Sequence, residues 1–209
     1  MSKNLDPKCK QCRRAGEKLF LKGERCDTAK CAIVKRNFPP GMHGIKGKSR
    51  QSEYGLQLQE KQKVKREYGL LEKQFKLTFE KGKTQAGKAG ENLFKLLETR
   101  FDNTIYRLGF ASSRTQARQL VNHGHFLINN KKVNIPSYQV KIGEVITIKA
   151  GSRKSKLFAG LDEKLKKAQV PGWLNLDVKE LTAKVLHKPD IEDIKTNFNT
   201  QMIVEFYSK

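Results

Sequence analysis

Ser113-Arg-Thr-Gln-Ala-Arg-Gln-Leu-Val-Asn-His-Gly-His-Phe-Leu-Ile-Asn-Asn-Lys-Lys-Val133 holds a helix start, a helix stop and a strand turn in one short run. Ser113 with Gln116 spells a capping box, the serine satisfying an early amide and the glutamine reaching back. Ala117, Leu120 and Val121 then point inward, while Arg114 and Arg118, four apart, project from a single face. Gly124 fits the left-handed position that ends a helix. Phe126 to Val133 reads as two short strands around an Asn129-Asn130 turn. Small strands beside short helices, with arginines on the exposed helix, predict a compact α+β binding module.

Working downstream, Val140 to Ile148, interrupted by Gly143-Glu144, predicts another hairpin. Near residue 160 the chain is expected to return to a helical domain. There Pro171-Gly-Trp173-Leu-Asn-Leu176 leads to a helix capped by Asp177, with Glu180 three positions on. Trp173 reads as a core or domain-interface anchor, since little charge surrounds it. Upstream, Leu93, Phe94, Leu96, Leu97 and Phe101 begin an apolar helix running to about residue 109. Gly82 to Gly90 reads as a flexible connection. Val64, Tyr68, Leu71 and Phe75 form one helical stripe, with Lys61, Lys63, Lys65 and Arg66 mostly away from it. Phe38-Pro-Pro-Gly-Met-His-Gly44 stops regular structure, and a loop with Lys46, Lys48 and Arg50 follows.

The four cysteines all fall near the start: Cys9 and Cys12, then Cys26 and Cys31. Two close pairs separated by a short basic segment can bring four thiolates around one tetrahedral ion, as structural zinc requires. One zinc ion is the expected cofactor; an iron–sulfur cluster and metal-free thiols are the alternatives. Disulfides need an oxidising compartment, and Met-Ser-Lys-Asn-Leu-Asp-Pro7 has no apolar signal stretch, so a cytoplasmic setting is expected.

Charge narrows the partner. Lys plus Arg number 43 against 21 Asp plus Glu, a formal net charge of +22. A polyanion is the natural partner of such a chain, and phosphate backbones are the commonest. Residues 1–50 hold 14 Lys/Arg against 4 Asp/Glu, whereas residues 159–209 hold 8 of each. The cationic excess therefore lies in residues 1–158, leaving the C-terminal stretch to face protein or solvent.

Arg100-Phe-Asp-Asn103, Arg107-Leu-Gly-Phe-Ala-Ser-Ser-Arg114, Ala117-Arg-Gln-Leu-Val121 and Gly124-His-Phe-Leu-Ile-Asn129 resemble the RNA-binding module named after small-subunit ribosomal protein S-four. The flanks extend the resemblance to the bacterial ribosomal protein family itself. They are Pro40-Gly-Met-His-Gly44, Ser52 to Lys63, Tyr68 to Phe75 and the ending Ile203-Val-Glu-Phe-Tyr-Ser-Lys209. The match runs essentially end to end, and the cysteines resemble the zinc-containing subset of the family.

The resemblance implies an α+β chain in four parts. These are a basic zinc-knuckle segment (1–44), the first part of a mainly helical domain (45–98), an inserted module of two short helices on a small sheet (99–160), and a return to the helical domain (161–209). It implies a primary binder of small-subunit rRNA that docks at a junction early in assembly and nucleates the body of the subunit. It further implies a place beside neighbouring ribosomal proteins at the channel through which mRNA enters, and an influence on decoding accuracy. Some members repress their own operon. The implied rRNA ligands around the cysteines are Lys10, Arg13, Arg14, Lys22, Arg25, Lys35 and Arg36. His43, Tyr54, Lys61, Lys63, Lys65 and Arg66 follow in the helical part. The module supplies Arg100, Arg107, Arg114, Arg118, His123, His125 and Lys131. Lys46, Lys48 and Arg50 are the implied mRNA-facing loop.

Enzyme chemistry is not indicated. Gly41-Met-His-Gly-Ile-Lys-Gly-Lys-Ser49 nearly spells a phosphate-binding loop, but five residues separate Gly41 from Gly47 and no strand leads into it. His43, His123, His125 and His187 show no metal-protease or triad grouping. The remaining alternative is another zinc-containing RNA- or DNA-binding regulator carrying the same module, with helices near 93–109 and 114–123 mimicking a helix-turn-helix.

Overall fold

Pro7 opens the first helix, where a locked φ and a missing N–H cost nothing. This helix, α1 (Lys8–Ala15), ends at Gly16 with φ 85°. The computed structural model describes residues 5–47, 50–166, 168–190 and 198–208. After a 3-10 turn at Gly23–Cys26 comes the short α2 (Ala32–Lys35), and a second 3-10 turn spans Met42–Lys46. The Ser52 hydroxyl accepts the Gly55 N–H at 3.2 Å and caps α3 (Glu53–Glu67).

The single helix expected across Val64 and Phe75 is two. Gly69, at φ 64°, separates α3 from α4 (Glu72–Lys83). That break shifts the buried register, so Leu70 is 2% exposed while Leu71 turns outward. The glycine-rich stretch that follows is tied down by Asn92 on α5 (Ala89–Glu98). Its amide donates to the carbonyls of Gly82, Gln85 and Ala86.

The apolar run expected to form one helix to residue 109 is also divided. Arg100 adopts extended backbone and α6 (Phe101–Arg107) begins anew. α7 (Arg114–Asn122) ends as expected at Gly124, with φ 69°. Asn129 and Asn130 take φ 47° and 63°, the two left-handed residues a tight hairpin turn needs. They join β1 (Phe126–Ile128) to β2 (Lys131–Lys132).

The second expected hairpin does not form. Val140 donates its N–H to Thr99 and Gln139 bridges Arg100, so this limb joins the approach to α6. β3 (Val145–Ile148) pairs with β1 on one side and, on the other, with a strand from further along the chain.

After α8 (Ala150–Arg153) and α9 (Leu161–Lys166), β4 (Leu174–Asp177) and β5 (Thr182–Val185) complete a five-stranded antiparallel sheet in the order β2-β1-β3-β5-β4. The helix expected after Asp177 is therefore a turn. The Asp177 carboxylate accepts the N–H groups of Lys179 and Glu180, an Asx-type turn that competes with a helix cap for the same residue.

The chain divides into two units, residues 1–93 with 196–209, and residues 94–195. Residues 161–190, expected to rejoin the helical part, instead extend the sheet of the second unit. Its core joins Phe101, Ile105, Ala117, Val121, Phe126, Ile146 and the fully buried Trp173. Each large side chain so removed from water contributes about 1.5–3 kcal/mol. In the first unit α10 (Thr200–Ser208) lies along α3, and Gln57 donates to Glu205 between them at 3.0 Å. Among the described residues no helix is long and apolar enough to cross a membrane.

Candidate nucleic-acid interface

The module's helix α7 is held by its first turn. Ser113 Oγ accepts the Gln116 N–H at 3.3 Å. Gln116 Oε1 reaches back one residue further than a capping box requires, accepting the N–H and Oγ–H of Ser112. Ala117, Leu120 and Val121 are buried, which leaves Arg114 and Arg118 half-buried at the helix surface. Arg114 stands over the Tyr106 ring, 4.7 Å from its centroid, and its Nε donates to Asn103 Oδ1 at 2.8 Å.

Two other module arginines serve the interior. Arg100 is 3% exposed and forks onto the Asp102 carboxylate at 3.1 and 2.8 Å. The expectation that it meets RNA is corrected: a buried guanidinium loses its neutralising partner if it turns outward. Arg107 forks onto Glu98, which is 1% exposed, at 2.9 and 2.7 Å. It is an internal counter-ion first.

His123 and Lys131 are exposed, and His125 is half-buried. Burial, then His123 and Lys149, pulls the His125 imidazole below its ordinary value, so it is neutral at pH 7. Its Nδ1 lies 2.9 Å from Ser152 Oγ. Sequence reasoning passed over Lys132, Lys149, Arg153, Lys154 and Lys156, all exposed in the same unit. The legible signal was the run of four cations between Lys149 and Lys156.

In the first unit Lys61 and Lys63, expected away from the apolar stripe and against RNA, are 4% and 5% exposed. Lys61 Nζ lies 2.6 Å from Glu72 Oε1 and 4.5 Å from the Phe206 ring centroid. Lys63 pairs with Glu17 at 2.5 Å and stands 4.9 Å from the Phe198 ring centroid. Both expectations of RNA contact are corrected, because α10 lies along α3 and supplies Phe206 beside Lys61, while Phe198, just before α10, stands beside Lys63. Lys65 also binds Glu72, at 2.8 Å. Burial raises the Glu72 carboxyl, but the hydrogen bonds from Lys61, Lys65 and Tyr207 outweigh it and hold it at about 2. Arg66 is half-buried.

Arg13 straps the turn after the cysteine segment, donating to the carbonyls of Phe38 and Pro39 with its guanidinium 4.8 Å from the Phe38 ring centroid. Lys10, Arg14, Lys22, Arg25, Lys35, Arg36, His43 and Tyr54 are exposed. So are Lys46 and Arg50, while Lys48 lies outside the described residues.

The four cysteines line one cavity with Lys8, Leu21, Lys22 and Arg25. All four are free thiols. The Cys26 sulfur accepts the Lys22 N–H at 3.3 Å, and a backbone hydrogen bond from Leu19 reaches Cys12. Burial pushes the Cys12 thiol up; the Leu19 bond opposes it, and the other three cysteines raise it further. Among the described residues no group of three or more His, Cys, Asp or Glu side chains is drawn together as a metal-holding set. The four cysteines thus share one cavity.

Comparison with known proteins matches residues 3–98 to the family model described as "Ribosomal protein S4/S9 N-terminal domain" and residues 99–146 to "S4 domain". The boundary between them falls at the break separating α5 from α6. The chain is 54% identical to small ribosomal subunit protein uS4 of Clostridioides difficile (strain 630), covering 100% of both chains. It is 54% identical to the protein of that name from Caldicellulosiruptor saccharolyticus and 48% identical to that from Nitrosospira multiformis, again over 100% of each.

Proposed function

The chain belongs to the small ribosomal subunit protein uS4 family, and from that premise we infer that it is a structural, non-catalytic constituent of the small ribosomal subunit that binds its rRNA. The observation that carries the reading is the confinement of the cationic excess to residues 1–158, in a chain alike to its relatives from end to end. RNA junctions present shape and dense phosphate, which suit many dispersed Lys and Arg contacts. Arg114, Arg118, His123 and Lys131 are the module's ligands in this reading, with the exposed cations around the cysteines as a second contact region. Its working place is the ribosome in the cytoplasm.

The test is co-sedimentation with small subunits through a high-salt wash, together with affinities for a small-subunit rRNA fragment and duplex DNA at matched salt. Retention and preference for the rRNA are expected; preference for DNA overturns the reading.

The finer roles rest on this one. The protein binds early and nucleates the body of the subunit, and its neutral residues 159–209 face neighbouring ribosomal proteins, where decoding accuracy is adjusted. The loop containing Lys46, Lys48 and Arg50 attends mRNA entering the subunit through sequence-independent phosphate contacts, which exposure of Lys46 and Arg50 supports. Ribosomes with all three neutralised should assemble normally but translate slowly through stable mRNA hairpins. A normal rate there returns the loop to rRNA or solvent.

Cys9, Cys12, Cys26 and Cys31 fit a structural zinc ion in donor chemistry, because all four line one cavity and two of the sulfurs already accept backbone N–H groups. Zinc bound there as a tetrathiolate would cross-link a segment with a small apolar cluster of Cys12, Ala15 and Leu19 among the described residues, with Leu21 and Ile33 beside them. Metal analysis of protein purified under reducing conditions should find one zinc per chain. Chelation should increase proteolysis of the N-terminal segment while the module stays folded, since the two have separate cores. Protein free of zinc, or holding iron instead, overturns the assignment.

A further inference from the structure

Glu98 and Asn103 are each 1% exposed, and the reading above gives neither a role. The Glu98 carboxylate receives the Nε and Nη2 hydrogens of Arg107 at 2.9 and 2.7 Å. Its Oε2 and its backbone carbonyl also receive the side-chain amide of Asn103, at 2.9 and 3.0 Å. A carboxylate paired with a guanidinium has no proton to donate, and a carbonyl has none at all. Both groups are acceptors only, so they decide which end of the Asn103 amide is nitrogen. The oxygen must then face the other way, where it accepts the Arg114 Nε–H at 2.8 Å. Tyr106 supports the same guanidinium from its face, 4.7 Å away. One buried carboxylate at the end of α5 thereby orients, through one amide on α6, the first arginine of α7.

We propose that Glu98 and Asn103 are positioning residues for RNA recognition, holding the Arg114 guanidinium pre-oriented toward an rRNA phosphate. The inference rests on the reading of Arg114 as an RNA ligand. Arg107 is the counter-ion that holds the Glu98 carboxylate in place. An arginine already ordered loses less freedom when it binds than one that must be fixed on contact. The chain Glu98–Asn103–Arg114 lies entirely within the second unit, so its effect does not require movement between units.

A double-mutant cycle on the full chain tests this, using a small-subunit rRNA fragment that the parent chain binds. Asn103→Ala should weaken binding about fivefold to tenfold, the scale of coupling within one hydrogen-bond network. Its salt dependence should be unchanged, because every phosphate keeps its cation. Arg114→Ala should weaken binding and lower the salt slope by about 1. The doubly substituted chain should bind no more weakly than Arg114→Ala alone. Glu98→Gln, which keeps side-chain size, supplies a second cycle with the same expectation and decides the matter if Asn103→Ala does not fold. The Arg114 Nε–H should exchange slowly in the parent chain, and its resonance should broaden in Asn103→Ala and in Glu98→Gln. Losses that add, or Asn103→Ala binding like the parent, overturn the positioning role while leaving Arg114 a ligand. Arg114→Ala binding with unchanged affinity and slope removes the ligand reading itself.

Discussion

Lys61 shows why a charge pattern read along one helix misjudges the partner. Its position on α3 looks solvated until α10, about 140 residues later in the chain, covers it. The ammonium is then held by Glu72 and two aromatic rings, and its four-carbon stem fills the space that an apolar side chain would. Glu72 is the titrating member, held at about 2 against an ordinary 4.5. A carboxyl lowered on folding contributes stability above its unfolded value and loses it as pH falls through its folded one. Glu72→Gln should therefore destabilise the first unit at pH 7, with the deficit shrinking below pH 4.5 and absent near pH 2. The Glu72 side chain is 46% exposed, so solvent screening limits the effect to less than about 1 kcal/mol. Denaturant melts across that range check it; a deficit that persisted at pH 2 would mean the ion pairs are not its source.

Among the elements, the β1–β2 hairpin is the one whose local chemistry and tertiary role coincide. Asn129 supplies a positive φ for the turn, and its Oδ1 also accepts the Val145 N–H at 2.9 Å, tying the hairpin to β3. Asn129→Ala should cost about 1–3 kcal/mol, by left-handed backbone strain and one unsatisfied strand amide. Thermal unfolding measures it, and amide exchange should quicken first at Val145. For α7, Ser113→Ala removes the cap on the Gln116 N–H and should cost about 1 kcal/mol. If either substitution left the melting temperature unchanged, the corresponding element would be held by packing rather than by these bonds.

On the scale of the whole molecule, the separation of charge along the chain is what the proposed function uses. Exposed cations in residues 1–158 face a polyanion, and the most direct readout is the dependence of affinity on salt. Changing Arg114 and Arg118 together to Ala should weaken rRNA binding and reduce the salt slope by about 2, one for each phosphate that is no longer neutralised. Filter binding over a salt series checks this. An unchanged slope would place both arginines among the solvated charges of a helix surface.

The sequence by itself determined the elements whose causes are local. The stop at Gly124, the Asn129-Asn130 turn and the cap at Ser113 depend on residues a few positions apart, and each was legible for that reason. It also carried the family likeness and the uneven charge. What only the tertiary structure decided depends on which surfaces end up buried, whether the partner is near or remote in sequence. Arg100 and Arg107 read as phosphate ligands until Asp102 and Glu98 claim them in the interior. Lys61 and Lys63 read as RNA ligands until α10 and Phe198 just before it cover them. Asp177 suits a helix cap and an Asx turn equally; the choice fell to the turn because the free edge of β3 accepts β5. A backbone or side-chain group can satisfy its hydrogen bonds locally or across the fold. Where both options exist, the one that also buries apolar surface prevails, and that is settled only when the distant strand or helix arrives.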